Sequence, residues 1–185
     1  MQADLIHKRC TRLSRTNETI VLVGFMGTGK SSVSRLLARQ LQLPCIDLDA
    51  EIERQQGRTI RELFADFGEE AFREVEGQVL SQVLESDGGK IIATGGGAVL
   101  REQNRKAMLQ HGWVIALTAD AEKIVDRVKN DTSRPLLQGN VEQRVTALLE
   151  ERRHAYDFVH HTVDTTRLTS EEVAAQILGM KEQRQ

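Results

Sequence analysis

The residues Gly24-Phe25-Met26-Gly27-Thr28-Gly29-Lys30-Ser31 carry the plainest chemistry in this chain. They match the pattern G-x-x-x-x-G-K-S/T, in which glycines let the backbone curl so that successive N–H groups face phosphate oxygens. A helix opening at the end of such a loop adds its positive dipole end to the same anion. Lys30 then reaches the β- and γ-phosphates, and the Ser31 hydroxyl is a ligand for Mg²⁺. The plainer alternative, a glycine-rich turn without a ligand, is disfavoured by context: an apolar run precedes the motif and a helical pattern follows it. The motif predicts binding of a nucleoside triphosphate, not a particular reaction. The chain has no Asn-Lys-x-Asp guanine-reading signature, and its 185 residues are few for a motor ATPase, so a small kinase is favoured.

Asp47 and Asp49 close a short run, Cys45-Ile46-Asp47-Leu48-Asp49, that reads as a strand. In a parallel sheet the C-terminal strand ends border the ligand crevice. Side chains two apart on a strand point the same way, so both carboxylates are expected near the γ-phosphate end of the loop. One would hold Mg²⁺, directly or through water. The other would orient or deprotonate an attacking hydroxyl. Asp49 has a second reading as N-cap of the helix that follows, and the two roles are compatible.

Arg73 lies in Phe72-Arg73-Glu74-Val75-Glu76, Arg134 in Arg134-Pro135-Leu136-Leu137, and Arg152 and Arg153 late in a helical pattern. Any single arginine fits a solvated helix face. Arg134 is the least ordinary, because the polar stretch 130–140 reads as a mobile loop, a lid able to swing a cation over a phosphate and exclude water. Arg73 and Glu76 stand at i, i+3. They are either a surface ion pair or a guanidinium fork held ready for a carboxylate. Gly95-Gly96-Gly97 lets a backbone approach a ligand closely; a loose strand-to-helix loop is the alternative.

The frame that would position these groups is α/β. Continuous apolar runs at 19–23, 45–49, 90–94 and 113–117, with a fifth at 161–164, read as strands buried on both faces. Helical patterns lie between them, from Lys30 onward and near 50–56, 59–67, 69–86, 101–111, 120–129, 140–158 and 169–180. The alternation predicts right-handed βαβ units and a parallel sheet covered on both sides. Residues 49–86 offer helices without a strand, which predicts an insertion standing off the sheet.

Composition bounds the function. The net charge of −2 and an aromatic content of 4% argue against a nucleic-acid-binding surface, which needs basic patches and stacking platforms. The apolar runs are far short of the ~20 residues that span a bilayer. The two cysteines, Cys10 and Cys45, have no metal-binding spacing and are too few for a disulfide scaffold. A reduced, cytoplasmic protein is expected. Residues 1–18 carry Lys8, Arg9, Arg12 and Arg15 without an apolar segment, so they read as a flexible extension rather than a secretory signal. The remainder, 19–185, reads as one domain.

Together these features resemble the shikimate kinase family: the phosphate loop, Asp47-Leu48-Asp49, Phe67-Gly68-Glu69 leading to Phe72-Arg73-x-x-Glu76, Gly95-Gly96-Gly97, and Arg134-Pro135-Leu136-Leu137. The resemblance spans about 19–180. It implies a nucleoside-monophosphate-kinase-like P-loop core of three layers, with a five-stranded parallel sheet in the order 2-3-1-4-5. It implies phosphoryl transfer from ATP, with Mg²⁺, to the 3-hydroxyl of shikimate. A monomer is expected. Carried over, Lys30, Asp49 and Arg134 would be the catalytic set. Gly27, Thr28, Gly29, Lys30, Ser31, Ser32, Arg127 and Arg134 would bind ATP, with Arg127 against the adenine. Ser31 and Asp47 would hold the metal. Asp49, Arg73, Gly95, Gly96, Gly97 and Arg152 would bind the acid, walled by Ile60, Phe64 and Phe72. The family often reads Glu-Arg-x-Pro-x-Tyr where this chain has Glu151-Arg152-Arg153-His154-Ala155-Tyr156, so Arg153 competes with Arg152. A kinase for another small hydroxy acid such as gluconate, and a nucleotide-binding module without turnover, are the other readings.

Overall fold

The computed structural model describes residues 18–129 and 140–184. Of the expected extension, 1–18, Glu18 alone is described, and it pairs with Lys181 at 2.6 Å; the rest of it, and Arg134 with its neighbours 130–139, lie outside the described residues.

Five strands form one parallel sheet: β1 (Ile20–Gly24), β2 (Cys45–Asp47), β3 (Ile91–Ala93), β4 (Trp113–Thr118) and β5 (His161–Asp164). Their order is β2-β3-β1-β4-β5, as the resemblance implies. β1 is central, with Ile20 opposite both Ile91 and Trp113, and is buried at every position. Alternate residues serve opposite faces. Ile20 and Leu22 pack with Val33 and Leu37 of α1 (Lys30–Leu41) and with Val173 and Ile177 of α7 (Ser170–Gln183). Val21 and Val23 pack with α2 (Leu48–Gln56), α3 (Ile60–Glu85) and α4 (Glu102–His111), through Ile52, Leu80 and Met108. Both faces being covered is why the strand sequence shows no polar alternation. A third cluster joins Phe25 and Met26 to Ile124 of α5 (Ala121–Val128) and Val145 of α6 (Val141–Glu151). No helix among the described residues is long and apolar enough to cross a membrane.

Two expectations need correction. The second strand stops at Asp47, because its carboxylate accepts the Ala50 N–H at 3.4 Å and starts α2 at Leu48. Asp47, not Asp49, is the N-cap. Asp49 therefore sits in the first helical turn, and the two carboxylates are not a same-face strand pair. The helix expected over 140–158 ends at Glu151. There the Arg152 N–H turns back onto the Leu148 and Glu150 carbonyls, and the chain leaves the helical path.

The insertion at 49–86 is α2 and α3. A capping box of Thr59 and Glu62 starts α3. Gly68, at φ 80 and ψ 174, breaks its helical path. Beyond that break, Phe72, Arg73, Glu76, Val79, Leu80 and Val83 form one buried stripe at helical spacing. Two charged residues are thus carried into the interior on the same face as the core.

Candidate active site

The phosphate loop connects β1 to α1. Gly27 and Gly29 adopt φ of 75° and 97°, backbone that other residues rarely take. The loop is closed from within. The Thr28 hydroxyl donates to the Phe25 carbonyl at 2.8 Å, and Lys30 Nζ donates to the Gly24 and Phe25 carbonyls, both at 2.8 Å. Ser31 Oγ donates to Asp47 Oδ2 at 2.8 Å. This brings the first residues of α1 and the end of β2 together as a pair of oxygen donors.

The triple-glycine loop after β3 lies beside this cradle. A Cβ on Gly96 would be 3.4 Å from the Met26 nitrogen, so the two loops are in contact. On Gly95 a Cβ would fall 2.7 Å from Asp49 Oδ1 and 2.9 Å from Glu76 Oε1. On Gly97 it would overlap the Arg73 guanidinium. Only a loop without side chains fits beneath these three charged groups.

Arg73 is 8% exposed and Glu76 1%. Arg73 Nη1 donates to Glu76 Oε2 at 2.7 Å, and Nη2 to the half-exposed Glu69 at 3.1 Å. The Arg73 guanidinium also sits 5.1 Å from the Phe72 ring centroid and 5.8 Å from that of Phe64. Burial works against the Arg73 charge, but Glu76 and then Glu69 outweigh it, so the cation is held. Burial pushes the Glu76 carboxyl up, against the pull of Arg73; nearby Asp49 adds to the rise and Arg152 opposes it. Arg152 is 3% exposed, reaches the Gly96 carbonyl at 3.4 Å and lies 5.9 Å from the Phe25 ring centroid. Arg153 is exposed and paired with Glu150 at 3.4 Å. Arg152, not Arg153, faces the glycine loop.

Buried polar atoms are normally hydrogen-bonded. Among the described residues, the buried side-chain atoms left without a partner are Arg73 Nε, Glu76 Oε1, Arg152 Nε and Trp113 Nε1. All but the last converge on this loop. Unfilled donors on two arginines are what an anionic ligand would satisfy.

On the other side of the phosphate loop is a cavity of about 190 Å³, lined by Gly29, Ser32, Arg127, Thr165, Leu168 and Val173 among others. Arg127 Nη1 donates to the Gly27 carbonyl at 3.0 Å. The arrangement is an anion cradle with a cavity of mixed polar and apolar lining on one flank and a glycine-floored pocket bearing two buried arginines on the other.

The shikimate kinase family profile matches residues 26–181. The chain belongs to that family. The shikimate kinase of Thermodesulfovibrio yellowstonii is 42% identical over 162 residues, 87% of this chain and 93% of that protein. That of Desulforudis audaxviator is 48% identical over 146 residues, 79% and 77% of the two chains. A solved shikimate kinase from Acinetobacter baumannii, in complex with shikimate, superposes with a TM-score of 0.88 at 37% identity, over 92% of this chain and 96% of that one.

Most residues expected to form the site of this shikimate kinase family member do come together around the two loops: Gly27, Thr28, Gly29, Lys30, Ser31, Asp47, Asp49, Arg73, Gly95, Gly96, Gly97 and Arg152. Ser32 and Arg127 line the flanking cavity. Arg134 lies outside the described residues. Of the expected walls, Phe72 is buried and Phe64 stacks on it at 4.5 Å between centroids, while Ile60 packs half-buried against the same cluster. Two neighbours went unread as site residues. Tyr156 donates its hydroxyl to the Gly96 carbonyl at 3.0 Å. Thr165 follows β5 directly, and its place at a parallel strand's C-terminal end was the available signal.

Proposed function

We propose that this protein transfers the γ-phosphoryl group of ATP to the 3-hydroxyl of shikimate, a step of aromatic amino acid biosynthesis. The observation that carries this is the convergence of unpartnered Arg73 Nε and Arg152 Nε on the glycine loop that touches the phosphate cradle. A small carboxylic acid held there would present a hydroxyl toward the γ-phosphate. The Acinetobacter baumannii neighbour, solved with shikimate, supports the choice of acid.

Catalysis of this kind is mostly positioning and charge neutralisation. The loop N–H groups and the α1 terminus hold the β- and γ-phosphates. Lys30 leaves the Gly24 and Phe25 carbonyls for a phosphate oxygen. Arg73, oriented by Glu76, takes the shikimate carboxylate, and Arg152 shares it. Asp49 accepts the hydrogen bond of the attacking hydroxyl, aligns it in line and receives its proton. Arg134 adds a cation over the transferring group, and Arg127 lies along the nucleoside. Ser31 and Asp47 suit Mg²⁺, which takes one or two protein oxygens, water and phosphate oxygens rather than a protein cage. When bound, the ion would screen the phosphate charge. A monomer in the cytoplasm is part of this reading; the two cysteines, without metal or disulfide spacing, suit a reducing compartment.

A coupled ADP-release assay with shikimate, quinate and gluconate tests the reading. Release dependent on shikimate alone is expected. Release driven by gluconate, or by no acid, would refute it.

A further inference from the structure

Thr165 is buried, lies outside the phosphate loop, and is 137 residues from Thr28 in sequence. Its hydroxyl lies 3.1 Å from the Thr28 carbonyl, 3.0 Å from the Thr118 carbonyl and 3.1 Å from Arg127 Nη1. A threonine hydroxyl has one proton to give. The Thr118 carbonyl already receives the Thr165 backbone N–H at 2.8 Å. A carbonyl accepts twice, so both carbonyls are within reach of that proton; given to the Thr28 carbonyl it ties the phosphate loop to the end of β5, while the oxygen accepts from Arg127. Arg127 Nη1 also donates to the Gly27 carbonyl at 3.0 Å, and Nη2 to the Thr165 carbonyl at 2.9 Å. Two consecutive loop carbonyls, those of Gly27 and Thr28, are thus drawn to one side by a Thr165–Arg127 unit anchored at the ends of β4 and β5.

Every described peptide bond is trans, and in a trans peptide the C=O and N–H point in opposite directions. Holding the Thr28 carbonyl toward Thr165 aims the Gly29 N–H the other way. We propose that Thr165 is a positioning residue for the nucleotide: it fixes the 28–29 peptide so that its N–H meets phosphate, and fixes Arg127 at the wall of the adjoining cavity. The inference rests on the ATP reading above. Its effect falls on nucleotide affinity and not on the acid pocket, which is built from other loops.

The test compares T165V, which keeps the shape and removes the hydroxyl, with T165S, which restores it. MgADP is titrated by calorimetry, and KM is measured for ATP and for shikimate. For T165V the MgADP Kd and the ATP KM should rise together, about tenfold, the scale of one lost hydrogen bond to a charged partner. The shikimate KM should stay within about twofold, and T165S should return the nucleotide constants to within about twofold of the parent, the scatter of a near-neutral change. Should T165V not fold, T165A against T165S carries the same comparison. Unchanged MgADP affinity in T165V, or a T165S protein no better than T165V, would overturn the inference. A parent protein that bound no MgADP would instead overturn the ATP reading, and this inference with it.

Discussion

The Arg73 guanidinium occupies the space where a side chain at Gly97 would begin: a Cβ there would overlap its two terminal nitrogens and central carbon at once. Arg73 cannot easily yield. It is buried, and bonded to Glu76 on one side and Glu69 on the other. The G97A variant should therefore displace the guanidinium and weaken acid binding, with an overpacking cost of about 1–3 kcal/mol. Steady-state kinetics should show a shikimate KM raised about tenfold or more, with MgADP affinity kept, since Gly97 lies on the acid side of the loop. Loss confined to the nucleotide would count against the assignment.

Asp49 reaches the same loop from the first turn of α2, with Oδ1 set over Gly95. Its proposed part is on the acceptor hydroxyl. Asp49→Asn keeps the shape and removes the charge, so kcat should fall by about 10²–10⁴-fold, the usual range for a positioned acid or base. ATP affinity should change little. Rapid-quench turnover equal to the parent's would remove Asp49 from the chemistry.

Arg152 and Arg153 are adjacent, yet one is buried on Gly96 and the other is exposed. Arg152→Ala should raise the shikimate KM by about ten- to a hundredfold, the value of a charge-assisted hydrogen bond. Arg153→Ala should leave it within about twofold, because exposed ion pairs contribute little. The reverse ranking would reassign the carboxylate to Arg153.

Tyr156 is the only tyrosine in the chain, so phenolate absorbance reports it alone. Burial pushes its pKa up to about 12 from 10.0, partly opposed by Arg152. The folded state therefore holds this proton more tightly than the unfolded chain does. The stabilisation is complete below pH 10 and is lost as pH rises from 10 toward 12. An absorbance titration of the native protein should find ionisation near pH 12, and near 10 in denaturant. A native transition at 10 would place the ring in solvent and away from Gly96.

The sequence made local features legible. The phosphate loop needs glycines and a lysine at fixed offsets, and β1 needs a run buried on both faces; both are visible over a few residues. The break in α3 was visible as Gly68 between two helical patterns, and Arg73 and Glu76 were legible as an i, i+3 pair, but not that the pair is buried. The Asp47–Asp49 geometry was not legible, because a strand and a helix N-terminus both tolerate that pair. The choice fell to one capping bond, from Ala50. The end of α6 was obscured by helix-compatible residues that continue to Phe158, although the chain turns at Arg152 so that Arg152 and Tyr156 reach Gly96. Thr165 was legible only as a position at the C-terminal end of a strand, not as a partner of the phosphate loop. Its partners are Thr28, Thr118 and Arg127, and no short-range pattern can signal contacts that the sheet order creates.

The central claim is that a triphosphate and a small acid meet across Gly95-Gly96-Gly97. A crystal structure with MgADP and shikimate tests it most directly. The shikimate carboxylate should lie on Arg73 and Arg152, and its 3-hydroxyl within hydrogen-bonding reach of Asp49 on the side facing the β-phosphate. A shikimate molecule bound elsewhere, or turned so that its carboxylate faces the phosphate loop, would contradict it.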